Sequence, residues 1–275
     1  MSLSEERRCS VHAVIFDVDG VLVASPHERA WREALHELMA TDWRGIASAT
    51  TYRPDRFTTM LYQQHVAGKP RESGARAILE YFGFPDPAER ASIYARRKQQ
   101  HIDRLIDEDR FEAYPDAVRF VNALAERDIL LGVASSSRNA NRFLDRIHLD
   151  AMGTEEQPGR LNTGRRTLRE AFVANVCGRD VPRGKPAPDI FLLAAQELQT
   201  APDSCVVVED ATAGIQAAKG GGMRALGVAR LNDEALLWAA GADLVVAGLD
   251  DVDLNRLRQG HLERRLAPID AATAS

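Results

Sequence analysis

At 275 residues, 45% of them hydrophobic and 27% charged, the chain can hold one large domain or two modest ones, with the composition of an ordinary globular protein. Its net charge of −5 argues against a nucleic-acid partner, because phosphate backbones need clustered Lys and Arg. A small phosphorylated ligand needs only a few local cations and is not excluded.

Cys9, Cys177 and Cys205 are odd in number and widely spaced, which fits free thiols in a reducing compartment better than a disulfide framework. No apolar run approaches the ~18 residues of a membrane span, and the charged start of the chain, Glu5 to Arg8, does not read as a signal peptide. The expected location is therefore the cytoplasm.

In chain order, Val11 to Phe16 (VHAVIF) reads as a buried parallel strand that stops at Asp17. From about 27 to 108 the pattern is helical almost throughout. Ala30, Trp31, Ala34, Leu35, Leu38 and Met39 form one apolar face, and Tyr94 to Asp109 reads as a long charged helix. From about 112 onward, strands alternate with helices. Strands are expected at Ile129 to Ala134, Phe172 to Val176, Cys205 to Val208 and Ala242 to Ala247. Helices are expected around Val118 to Leu124, Phe143 to Ile147, Asp189 to Leu198 and Ala213 to Lys219, the last stopped by Gly220-Gly221-Gly222. This alternation predicts an α/β doubly wound parallel sheet, residues 1–24 and 110–275, with an inserted all-helical cap at 25–109. The polar stretch Gly153 to Glu170 reads as a surface insertion.

Four elements carry chemistry. Asp17-Val18-Asp19-Gly20 sits where the first strand ends, and the carboxyl ends of parallel strands are where such sheets place ligands. If Gly20 turns the chain out of the strand, one carboxylate can attack while the other handles protons; alone, the motif also fits a turn of solvated aspartates. Ser135, Ser136, Ser137, Arg138 and Asn139 follow the second core strand as an anion-binding loop or as plain helix caps. Gly184 to Asp189 (GKPAPD) presents Lys185 before a helix. Glu209 and Asp210 end a further strand, as oxygen donors for Mg²⁺ or as a helix cap.

Together, in this order, the four elements closely resemble the haloacid dehalogenase-like hydrolase superfamily, in the group that contains β-phosphoglucomutase. The resemblance covers about residues 11 to 250, includes the helical cap, and implies a Rossmann-like core. It implies that Asp17 is a nucleophile that becomes phosphorylated and that Asp19 is the general acid/base, its backbone carbonyl also binding Mg²⁺. Ser135 would hold the transferring phosphoryl group and Lys185 would pair with it and with Asp17. Asp210, with Glu209, would hold the metal. In the cap, Gly68, Lys69 and Arg71 match a substrate-recognition loop, with Arg71 gripping a non-transferring phosphate. His27 matches a histidine that steers the catalytic Asp, and Arg138 and Asn139 match a Lys-Asn pair that touches the phosphate. Ser136 and Ser137 complete the expected substrate loop.

The chain departs from the group's pattern in several places, among them the polar insertion at 153–170, which has no counterpart there. Ala24-Ser25 replaces the usual Asp-Ser or Asp-Thr, the segment up to His27 is shorter, and Ala67 stands where a lysine is usual. These departures tip the expectation towards hydrolysis of a small phosphorylated metabolite, such as a sugar phosphate, over a β-phosphoglucomutase-type mutase, with a non-catalytic phospho-ligand binder third. The expected cofactor is Mg²⁺ and the expected state a monomer or weak dimer. Two other signals fail on spacing. Gly178 to Lys185 is one residue too long for a P-loop and is followed by Pro186, and the glycine triplet follows a helix instead of opening one. Trp31, Trp43 and Trp238 are expected to pack rather than stack on bases.

Overall fold

The structure, a computed structural model, describes residues 10–66, 69–149 and 166–266. Gly68, expected in the recognition loop, lies outside the described residues, as does Ala67 beside it and most of the expected 153–170 insertion. The chain divides into two compact units at 24/25 and 112/113.

The first unit is built on six strands: β1 (Ala13–Phe16), β4 (Leu130–Val133), β5 (Ala174–Asn175), β6 (Cys205–Glu209), β7 (Arg224–Val228) and β8 (Leu244–Val246). Their order is β5-β4-β1-β6-β7-β8, and every neighbouring pair is parallel. β1 and β6 are buried along their whole length, as continuous apolar runs with helices on both faces require. Each fully buried Val or Ile there contributes roughly 1.5–3 kcal/mol. The chain leaves β1 for β4 on one side and later reaches β6 on the other, so β1 is the switch point. The register pairs Phe16 with both Val133 and Val208. Asp17, Ala134 and Glu209 therefore emerge at one level, on the edge where ligands bind in such sheets.

Two short strands, β2 (Val23–Ala24) and β3 (Glu112–Ala113), pair where the chain passes between the units. The second unit is helical: α1 (His27–Ala40), α2 (Thr59–His65), α3 (Arg71–Tyr81) and α4 (Pro87–Asp107), with short 3₁₀ turns at Arg44–Ala49 and Pro54–Arg56. Its core gathers Trp31, Leu35, Leu38, Ile78, Leu79, Phe82 and Tyr94. The Tyr94 hydroxyl donates to the Trp31 carbonyl (2.8 Å), and the two rings meet edge to face at 4.9 Å.

Several local expectations change. The charged helix starts at Pro87, not Tyr94, because proline suits the first helical turn. β7 was not expected: its Arg-Ala-Leu-Gly-Val sequence has weak strand propensity. Gly227 is there for packing, since a Cβ on it would meet Leu237 and Val245 at 3.2–3.3 Å. Of the polar insertion, Thr167 caps a 3₁₀ turn with Glu170, and Leu168 is buried rather than on the surface. Trp31 and Trp43 are buried, but Trp238 is 47% exposed and does not pack as expected.

Candidate active site

Asp17 directly follows β1, 6% exposed, its amide donating to the Val208 carbonyl (3.0 Å). Gly20 follows at φ +87°, a conformation that favours glycine, and turns the chain out of the sheet. The turn is fixed by its own backbone: Val18 O accepts from Leu22 N and Val23 N, and Gly20 N donates to Val23 O (2.8 Å). Gly20 has a second reason to be glycine. A Cβ there would stand 1.8 Å from Asp210 Oδ2, so the missing side chain is what lets Asp210 lie against the turn.

Lys185 joins the two strand ends. Its ammonium lies 2.6 Å from Asp17 Oδ1, donates to Glu209 Oε1, and sits 4.8 Å over the Phe191 ring. Burial works against the charged lysine; Asp17 and Glu209 outweigh it and hold the pKa above the usual lysine range. Burial, reinforced by Asp19, raises Asp17 against the opposing pull of Lys185. Glu209, 1% exposed, has its other oxygen, Oε2, occupied by the amides of Asp210 and Ala211, both at 3.1 Å. Both carboxylate oxygens are thus engaged, one by Lys185 and the other by the turn after β6. Gly214, in the helix Thr212–Gly220, makes room for Glu209, since a Cβ there would fall 1.9 Å from its carboxyl.

Asp210 is raised well above the carboxylate range by burial and by Glu209 and Asp17, with Asp19 adding to the repulsion. Four carboxylates thus face one ammonium, a formal −3 when all are ionised. Among the described residues, no three His, Cys, Asp or Glu side chains form a metal-holding group by themselves. An oxygen-only set of two carboxylates and a backbone carbonyl, within an excess of negative charge, still suits a hard divalent cation.

Ser135 follows β4, buried, its Oγ accepting from Ser137 N (3.1 Å), while Ser137 Oγ accepts from Asn139 N (3.3 Å). Asn139 is buried, whereas Ser136 and Arg138 are exposed, and Arg138 reaches Asp180 at 3.5 Å. Cys177, a free thiol, is pushed up to about 12, first by burial and then by Asp17, and stays neutral beside the cluster.

In the helical unit, taken by itself, the sequence reading missed Lys98. It is 5% exposed, its ammonium 5.4 Å over Trp31 and 3.3 Å from His27 Nδ1, which must accept. Burial, then Lys98 and Arg71, hold His27 well below the ordinary histidine pKa of 6.5. Arg71 opens α3, and it and Lys69 are exposed. A signal existed: Lys98 falls on the apolar stripe of α4, four residues from both Tyr94 and Ile102.

The description "haloacid dehalogenase-like hydrolase" belongs to a family model that matches residues 11–222. The β-phosphoglucomutase of Bacillus subtilis (strain 168) is 32% identical over 253 residues, spanning 90% of this chain and 94% of that protein. The fructose-1-phosphate phosphatase YqaB of Escherichia coli (strain K12) is 31% identical over 221 residues, 78% of this chain and 95% of that one. Among solved structures, an archaeal β-phosphoglucomutase from Pyrococcus sp. strain ST 04 has a TM-score of 0.63 at 25% identity, covering 89% of this chain and 96% of that one. The sheet, the strand-end cluster and these matches over most of the sequence agree: the chain is an enzyme of the haloacid dehalogenase-like hydrolase superfamily, in its β-phosphoglucomutase-like group of phosphatases and phosphomutases.

Proposed function

We propose that the enzyme transfers a phosphoryl group through an aspartyl phosphate at Asp17, with Mg²⁺, from a small sugar phosphate to a sugar hydroxyl. Lys185 engages Asp17 Oδ1, so Oδ2 would be the attacking oxygen. As the Asp17–phosphorus bond forms and the sugar oxygen–phosphorus bond breaks, Asp19 gives its proton to the leaving oxygen. In the second half, the Asp19 carboxylate takes a proton from the acceptor as the acceptor attacks phosphorus and the bond to Asp17 breaks. Lys185, Ser135 and the backbone amides after β4 face the charge on the transferring oxygens. Asp17, Asp210 and the Asp19 carbonyl would hold Mg²⁺, which supplies further positive charge to those oxygens when bound.

Lys98 is the observation that favours a hydroxyl acceptor. A buried ammonium beside a neutral imidazole, with Arg71 acting on the same imidazole, is an anchor for a second phosphate. It supplies a cation to the unit in which Ala67 replaces one. A sugar monophosphate anchored by its phosphate keeps a free hydroxyl that can compete with water at ~55 M for the aspartyl phosphate, given the effective molarities of oriented groups. Hydrolysis is the second reading, supported by Ala67 and by the phosphatase relative. The test supplies β-glucose 1-phosphate with a trace of the 1,6-bisphosphate and follows products by phosphorus NMR. Glucose 6-phosphate should dominate; predominance of inorganic phosphate would establish hydrolysis instead.

A further inference from the structure

Arg230 lies two residues beyond β7, at the same edge of the sheet as Asp17, yet it is not among the groups that act on Asp17 or Asp210. Its guanidinium is largely buried and makes three kinds of contact. It grips Asp116 with both terminal nitrogens (2.9 and 3.1 Å), donates to the Val21 carbonyl (3.4 Å), and stacks 3.9 Å over the Tyr114 ring. Asp116 in turn accepts from Leu249 N (2.7 Å), which ties it to the segment after β8.

The partners define what is held. Val21 belongs to the turn that carries Asp19, one residue after Gly20. Tyr114 and Asp116 belong to the chain as it returns through β3, and Tyr114 N donates to Leu22 O (3.0 Å). One rigid cation therefore fastens the outgoing turn and the returning segment to the end of β7. Lysine cannot copy this, because it lacks the planar fork that serves two carboxylate oxygens while stacking on a ring.

We propose that Arg230 is a positioning residue for Asp19: it acts through Val21 and the Tyr114–Asp116 segment to set where the Asp19 carboxyl meets the reacting oxygen. This rests on the reading that Asp19 carries the proton. A group that works through proton delivery matters most when the leaving oxygen is strongly basic. A sugar alkoxide must be protonated as it leaves, whereas p-nitrophenolate, with a conjugate-acid pKa of about 7, needs little help. Loss of the clamp therefore slows sugar phosphates selectively, while Asp17, Lys185 and β1 stay in place.

The experiment measures kcat/KM, which reports phosphorylation of Asp17, for β-glucose 1,6-bisphosphate as the sugar phosphate and for p-nitrophenyl phosphate, in the full chain with Mg²⁺. The variants are Arg230→Lys and Asp116→Asn, each assayed well below its measured melting temperature, with Asp19→Asn as the reference. Both clamp variants should lose about 10- to 100-fold on the sugar phosphate, the scale of a misplacement near 1 Å, and at most about threefold on the aryl ester. Asp19→Asn should show the same pattern more strongly. Equal losses on both substrates, or none, in a clamp variant while Asp19→Asn keeps its selectivity would overturn the role of Arg230 alone. Should Asp19→Asn itself lack selectivity, the assignment of the proton to Asp19 falls and the inference falls with it. An unfolded Arg230→Lys leaves the decision to Asp116→Asn, which retains the guanidinium and the ring contact.

Discussion

Replacing Gly214 with alanine isolates the support behind Lys185, the lysine proposed to face the transferring phosphoryl group. The new Cβ would lie 1.9 Å from the Glu209 carboxyl carbon and Oε1. Ordinary contact is about 3.5 Å, so roughly 1.5 Å of overlap must be relieved. A glutamate end would normally swing away at little cost. Here it is 1% exposed, holds Lys185 through one oxygen and holds the amides of Asp210 and Ala211 through the other. Displacing it sacrifices at least one charge-assisted hydrogen bond, about 1.5–3 kcal/mol, and adds overpacking strain of about 1–3 kcal/mol. The expected cost to stability is about 3–5 kcal/mol, read by chemical denaturation. Because Lys185 loses its second partner, kcat should fall roughly 100-fold. In an Glu209→Ala background the obstacle is gone, and adding Gly214→Ala should change stability by less than about 0.5 kcal/mol. The cycle thus carries a coupling energy of several kcal/mol. Additive effects, or a single-variant loss under about 1 kcal/mol, would refute the claim that Gly214 exists to house Glu209.

Asp17→Asn should lower kcat by on the order of 10⁴ or more with an unchanged far-ultraviolet dichroism spectrum, because it removes the nucleophile while keeping the shape; near-normal turnover would exclude the covalent route. Chelation should abolish activity and restored Mg²⁺ should recover it, while Mg²⁺ also raises the melting temperature by relieving the repulsion among Asp17, Asp19, Glu209 and Asp210; full turnover in excess chelator contradicts the assignment. His27 gives a pH signature. Its folded pKa lies well below the ordinary 6.5, so the unfolded chain takes up a proton first, and its contribution to stability is present above 6.5 and is lost as pH falls below it. The difference in unfolding free energy between wild type and His27→Gln should therefore shrink on acidification from pH 7 to 5, and a difference that stays constant would count against a neutral buried His27.

What could be read in advance depended on whether chemistry restricted the residue type. Asp17, Asp19 and Asp210 drew attention as acids at the ends of apolar strand runs, and Lys185 as a lysine in a proline-rich loop before a helix; their occurrence together in this order is what chemistry restricts. The engagement of Glu209 was invisible, because a sequence shows a carboxylate but not which partners occupy its two oxygens. Lys98 hid within Arg96-Arg97-Lys98, a run that reads as a solvated helix face; only its register with Tyr94 and Ile102 marks it. The Arg230–Asp116 pair spans 114 positions, and nothing local announces a contact of that kind. β7 escaped because Gly227 answers to Leu237 and Val245 rather than to strand propensity. Local rules served where local physics decides, as in the apolar runs of β1 and β6, and failed where distant partners do.

The position of β1 in the sheet has a consequence for how the molecule is made. Asp17 is synthesised well before its partners: the lysine that meets it comes 168 positions later, and β6, which flanks β1, begins only at Cys205. Until then β1 has an open edge of unpaired backbone groups, an aggregation hazard. The helical unit between them has its own core and shorter-range contacts, so it can acquire structure while the sheet is still waiting for its centre. A ribosome-bound chain ending near residue 200 should thus protect the helical unit from proteolysis and leave Val14 and Ile15 open to cleavage, with protection of β1 arriving as β6 clears the exit tunnel.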